Sequence, residues 1–184
     1  MIQINGNMLF RMKNFVIKSY GKEEFDKMLK DMPEDSRKVL SGIIISGKWY
    51  DMKIYEDLLQ AVADVKGKEE LFRLTVDLGK QQLRGLFGFI SKLVSPQTVV
   101  NKAEGMWKTL HSQGRIEVAD FTDDRILIKV HDFKFSDIHM LGATGYFKGL
   151  IEAVCQKEFN YTYRNTSEGE YEFEFTTANN PVVV

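Results

Sequence analysis

The apolar positions of the first half of the chain recur at helical spacing. Leu9, Met12, Val16 and Tyr20 fall on one face, with Phe15 widening it, and Gly21 is a stop signal. Asn5-Gly6-Asn7, just before, reads as a turn. Phe25, Met28 and Leu29 mark a second helix, ended by Pro33. Val39 and Leu40 lead into Ile43-Ile44-Ile45, a run so short that helix and buried strand look alike. Asp51 follows Trp49-Tyr50 and is placed to cap a helix holding Ile54, Leu58, Leu59 and Val62, which Gly67 closes. A longer helix starts near Lys68. It carries Leu71, Leu74, Leu78 and Leu83 and is interrupted by Gly79, Gly85 and Gly88. Ser95-Pro96 is a helix start, Ser as cap and Pro in the first turn. Val99, Ala103, Met106, Trp107 and Leu110 form the apolar face of that helix, and Gly114 stops it.

Beyond Gly114 the period falls to two. Ile116 and Val118 alternate with charged residues, Thr122-Asp123-Asp124 turns the chain, and Ile126, Ile128 and Val130 alternate again, a β-hairpin by pattern. A helix from about Ser136 to Gln156 separates it from a second hairpin. There Phe159, Tyr161 and Tyr163 face Tyr171, Phe173 and Phe175 across a link from Asn165 to Gly169. All six aromatics are expected on the inner face of an antiparallel sheet, with Glu170, Glu172 and Glu174 on the wet face. The predicted class is α+β: a helical bundle over about residues 8–114, then a ββαββ unit over about 115–177 with a four-stranded antiparallel sheet, together one domain spanning 1–184.

Between the hairpins, Gly142, Gly145, Gly149 and Ala153 make a stripe of small residues on one helix face. Three glycines cost roughly 3 kcal/mol of helix propensity. Close approach of the helix backbone to the sheet or to another helix is the simplest compensation.

Composition narrows the chemistry. With 25 basic and 26 acidic residues the net charge is −1, which disfavours a nucleic-acid binder. The single Cys155 excludes an internal disulfide and an all-Cys metal cluster. Without a long apolar run or a leader pattern the chain reads as cytoplasmic with no membrane span. P-loop, GxGxxG, GxSxG and HExxH motifs are absent, and no local motif pairs a nucleophile with a base, so the chain is not expected to be an enzyme. His131 and His139 lie on different elements, and no metal site is expected. His111, four residues after Trp107, reads as a partly exposed imidazole favoured by the helix C-terminus. Cys155 reads as a buried structural thiol.

The order of elements, with Leu141-Gly142-Ala143-Thr144-Gly145-Tyr146-Phe147-Lys148-Gly149-Leu150-Ile151-Glu152-Ala153 between the hairpins, resembles a superfamily of ligand-binding domains in NO signalling and Golgi transport. It includes the haem NO/oxygen-binding domains, the 4-vinyl-reductase domains and the TRAPP vesicle-tethering subunits. Phe15 to Gly21, ending in Tyr-Gly, is similar to the superfamily's first helix. Trp49-Tyr50 followed by Leu58-Leu59 and Leu78-Gly79-Lys80 resembles a myxobacterial-type bacterial branch. The resemblance spans about residues 6–177.

The haem branch grips the haem propionates with a Tyr-x-Ser-x-Arg motif. The matching stretch here reads His131-Asp132-Phe133-Lys134-Phe135-Ser136-Asp137 and lacks it. His111 stands in roughly the helix of the axial ligand and is the one haem-binding candidate. The resemblance therefore implies a small-molecule sensor or regulatory domain with an apolar pocket and no haem or other cofactor. Phe87, Met106, Trp107, Leu110, Tyr146, Phe147 and Leu150 are its candidate lining. The expected partner is an apolar small molecule or lipid. The alternative is a TRAPP-like docking module that forms a homodimer or binds a signalling protein, and a haem gas sensor ranks after both.

Overall fold

The computed structural model describes residues 1–87 and 96–177, with 83–87, 96 and 99 described by backbone alone. Strand β1 (Gln3–Asn5) leads into α1 (Gly6–Tyr20). The Asn5-Gly6-Asn7 signal is thus the start of a helix and not a free turn. The Asn5 side chain accepts a hydrogen bond from the Asn7 backbone N–H at 2.9 Å, supplying one of the partners that a helix start lacks. Gly21 ends α1 at φ +87°, its N–H donating to the Ile17 carbonyl.

Helices α2 (Lys22–Lys30) and α3 (Glu34–Ser41) follow. The Ile43-Ile44-Ile45 run is neither helix nor strand. It is a loop that buries Ile44 and leaves Ile43 and Ile45 exposed. The Ile45 N–H donates to the Tyr50 hydroxyl at 2.9 Å, which holds the loop against β2 (Trp49–Asp51). β2 pairs antiparallel with β1, Ile4 opposite Tyr50. These three-residue strands are too short to show alternation in sequence. Asp51 caps α4 (Met52–Lys66), accepting from the Lys53 N–H at 3.0 Å. α5 (Lys68–Phe87) and α6 (Pro96–Leu110) complete the helical part, and the expected Ser95 cap lies outside the described residues.

The sheet consists of β3 (Arg115–Phe121), β4 (Arg125–His131), β5 (Asn160–Ser167) and β6 (Glu170–Thr176), antiparallel in the order β3-β4-β6-β5. Helix α7 (Asp137–Cys155) joins its two hairpins. One face of α7 covers the sheet, with Phe147 edge-on to Phe173 at 5.1 Å. Phe159, Tyr171, Phe173 and Phe175 are buried there, but Tyr161 and Tyr163 are exposed. They share the face of Phe175 and Phe173, their register partners, yet stand on the edge strand beyond the cover of α7.

The glycine stripe of α7 meets α5. A methyl group at Gly149 would sit 2.0 Å from the Val76 carbonyl oxygen, and one at Gly145 would sit 2.2 Å from Thr75 Oγ1. Gly79 answers from α5, where a methyl would lie 2.3 Å from the Tyr146 carbonyl oxygen. Contact at this range offsets the glycines' poor helix propensity through close packing of two helix surfaces. Buried residues of the helical part and of the ββαββ part form one continuous core.

Candidate functional site: an apolar cavity between helices and sheet

Beside that core, α6, α7, β3 and β4 leave a partly open cavity of about 120 Å³, with Ile4, Met8 and Tyr55 lining it from the helical side. Met106, Trp107 and Leu110 reach it from α6, and Tyr146, Phe147 and Leu150 reach it from α7. These six candidates from widely separated segments stand in one wall. The seventh, Phe87, has its side chain outside the described residues.

Trp107 anchors the α6 side. Its indole N–H donates to the Gln113 carbonyl at 3.0 Å, tying the helix end to the strand that follows. His111 sits one turn later, where its backbone bridges to Ile4 of β1. The His111 ring stacks on Trp107 with centroids 3.9 Å apart and meets Phe133 edge-on at 5.3 Å. His111 is half-buried, as a partly exposed ring requires, but the expectation that the helix C-terminus favours its charged form is overturned. Burial, and then the neighbouring His139, push His111 down to about 3, so the ring is neutral near neutral pH. Its Nδ1 is buried with no hydrogen-bond partner.

His139 comes from the first turn of α7. Its ring lies 6.3 Å from that of His111, centroid to centroid, so the structure joins His139 to His111 and not to His131. Ser136 caps α7 by accepting from the His139 N–H at 3.3 Å. The same hydroxyl donates to Glu56 Oε1 at 2.7 Å, and that oxygen lies 3.5 Å from His139 Nδ1. Burial alone would raise the Glu56 carboxyl, but contacts with His139 and Ser136 outweigh it and hold the group below the usual carboxylate range. His131 lies elsewhere, between Glu170 and Glu117 on the outer face of the sheet. Among the described residues no group of three or more His, Cys, Asp or Glu could hold a metal ion.

Tyr146 is buried, and its hydroxyl has no hydrogen-bond partner. Burial raises both Tyr146 and Tyr55, so both phenols are neutral. Cys155 ends α7 at the cavity, and burial raises its thiol, which makes it a poor nucleophile. His139, Tyr55, Phe121 and Phe135 also line the cavity and were not named as lining from sequence. A signal existed for one of them: His139 lies one helical turn before Ala143, on the face that continues through Tyr146, Phe147 and Leu150.

No family model matches the chain, and no curated protein matches it. Solved structures do. The unliganded Fe(II) H-NOX protein from K. algicida aligns with a TM-score of 0.65 at 14% identity, over 98% of this chain and 100% of that one. A Cs H-NOX mutant carrying 4-cyano-L-phenylalanine aligns with a TM-score of 0.65 at 16% identity, over 97% and 98%. An oxygen-binding H-NOX domain related to soluble guanylate cyclases aligns with a TM-score of 0.59 at 16% identity, over 98% and 97%. The chain has the H-NOX fold. The likeness is one of fold, to H-NOX structures, and gives no support to the 4-vinyl-reductase, TRAPP or myxobacterial-type branches.

H-NOX structures bring haem into question, and the lining tests it. His111 offers a half-buried neutral imidazole, a group of the kind that suits iron, but its unpartnered Nδ1 is itself fully buried. The remaining lining does not suit haem. Among the described residues no Lys or Arg lines the cavity, so no cationic partner for haem propionates stands there. The cavity is about 120 Å³, whereas pockets for drug-sized ligands run to about 300–1,000 Å³. These residues, as arranged, do not fit a haem.

Proposed function

We propose that this chain is a non-enzymatic sensor or regulatory domain that binds a small apolar molecule without haem. The observation that carries this reading is the cavity between α6, α7 and the sheet, lined by aromatic and aliphatic side chains of both parts of the chain. An occupant there would touch both parts at once, so occupancy would bias how they pack. Among the described residues no helix is long and apolar enough to cross a membrane, in keeping with action as a cytoplasmic domain. Calorimetric titration with toluene, beside an absorption spectrum after haem addition, tests the reading. It expects saturable one-to-one binding of toluene and no spectrum of protein-bound haem. Stoichiometric haem uptake lost on His111→Ala would contradict it.

A further inference from the structure

The Ile43-Ile44-Ile45 loop does not line the cavity and presents two isoleucines to water. Ile43 is 93% exposed and Ile45 59%, while Ile44 between them is 6% exposed and anchors the loop. Single exposed apolar residues are common, but neighbouring ones with a polar rim mark an interaction surface.

Hydrogen bonds hold the loop in this shape. The Gly6 N–H donates to the Lys48 carbonyl at 2.8 Å and the Asn7 N–H to the Ser46 carbonyl at 3.1 Å, so the start of α1 grips the far side of the loop. The Ile45 N–H donates to the Tyr50 hydroxyl, and the Ile45 carbonyl accepts from the Lys48 N–H at 3.0 Å. Both polar backbone atoms of Ile45 are thus paired, and the residue can leave water without stranding them. A loop fixed beforehand also loses little freedom on docking.

Cations surround the tip. Lys13 Nζ donates to the carbonyl of Gly42, the residue before Ile43, at 3.1 Å. Exposed Lys38 stands in the last turn of α3, and exposed Lys48 closes the loop, its ammonium 5.5 Å from the centre of the Tyr50 ring. From Arg37 to Tyr50 the chain carries three basic residues and no Asp or Glu. Phe10, 43% exposed, lies between Gly6 and Lys13 on the face of α1 that meets the loop. A second copy seated on this surface would set a rim of lysines against itself. The surface of an anionic bilayer complements that rim and offers an apolar layer just beneath.

We propose that this loop docks the protein on an anionic lipid bilayer, with Ile43 and Ile45 entering the interface and Lys13, Lys38 and Lys48 meeting the headgroups.

The test is co-sedimentation of the full chain with vesicles of phosphatidylcholine, alone or with about 30% phosphatidylserine. Binding to the anionic vesicles is expected to exceed binding to the neutral ones by at least about tenfold. Replacing Ile43 and Ile45 together by Ser should weaken it at least about tenfold, and Lys38→Ala with Lys48→Ala about twentyfold. All four side chains are exposed, and unchanged thermal melts show that the variants keep the fold. No binding to the anionic vesicles, equal binding to both kinds, or binding indifferent to the isoleucines would overturn the proposal. Self-association that the Ser replacements abolish, without vesicle binding, would overturn it too and assign the loop to a second copy.

Discussion

The neutral state of His111 ties one residue to the stability of the whole chain. In the unfolded chain its imidazole takes up a proton near 6.5, and in the folded chain only near 3. Between those values the unfolded state binds more protons, so this residue's contribution to stability falls as pH drops from about 6.5 towards 3 and is level above that window. His111→Phe, which keeps a ring on Trp107, should flatten the decline. Urea midpoints measured from pH 7 to pH 4 check this, and equal slopes in variant and native protein would refute it. Sequence marked His111 as a partly exposed candidate beside Trp107 but missed the contacts that keep its ring neutral. The ring is covered by Phe133 and His139 and its backbone is pinned to Ile4, all distant in the chain. Local periodicity carries no information on such contacts.

Helix contacts set the next scale. The small-residue stripe of α7 was legible as a demand for close approach. Which surface it approached was not, because the pattern on one helix is silent about its partner. The partner is α5, through Gly79. Gly149→Ala should destabilise by about 1–3 kcal/mol or more, since the new methyl meets backbone that cannot yield without separating the helices. Gly105→Ala on α6 has nothing within 4 Å of the new methyl and should stabilise by about 0.5–1 kcal/mol through helix propensity. Denaturant melts of the two variants decide, and equal effects would contradict the close α5–α7 contact. Asp51 was read correctly as a cap because its partner, the Lys53 N–H, is local. Tyr161 and Tyr163 show the opposite case. Alternation placed them on the right face, but strand order decides which part of a face is covered, and β5 is at the edge.

At the scale of the molecule, the α+β class and the ββαββ order were legible because each hairpin and its linking helix carry strong local periods. The two-stranded β1–β2 sheet escaped because its strands are three residues long. Six lining candidates were legible as apolar faces of α6 and α7, while Tyr55 and the inward residues of β3 and β4 enter the cavity only through the tertiary fold. The continuous core across both parts predicts one cooperative unfolding transition, with far-ultraviolet circular dichroism and Trp fluorescence changing together. Separate transitions would mean that the helical and ββαββ parts are independent domains.

The most direct test of the central claim, that the cavity is a ligand site, is thermal unfolding with and without toluene in the native chain and in Ala103→Leu, whose added bulk enters the cavity wall. Ligand at about one hundred times its Kd adds about 2.7 kcal/mol to the stability of a protein that binds it only when folded. A ligand-binding cavity predicts a Tm rise of several degrees in the native chain that is lost in Ala103→Leu. No rise in the native chain, or an equal rise in both proteins, would contradict it.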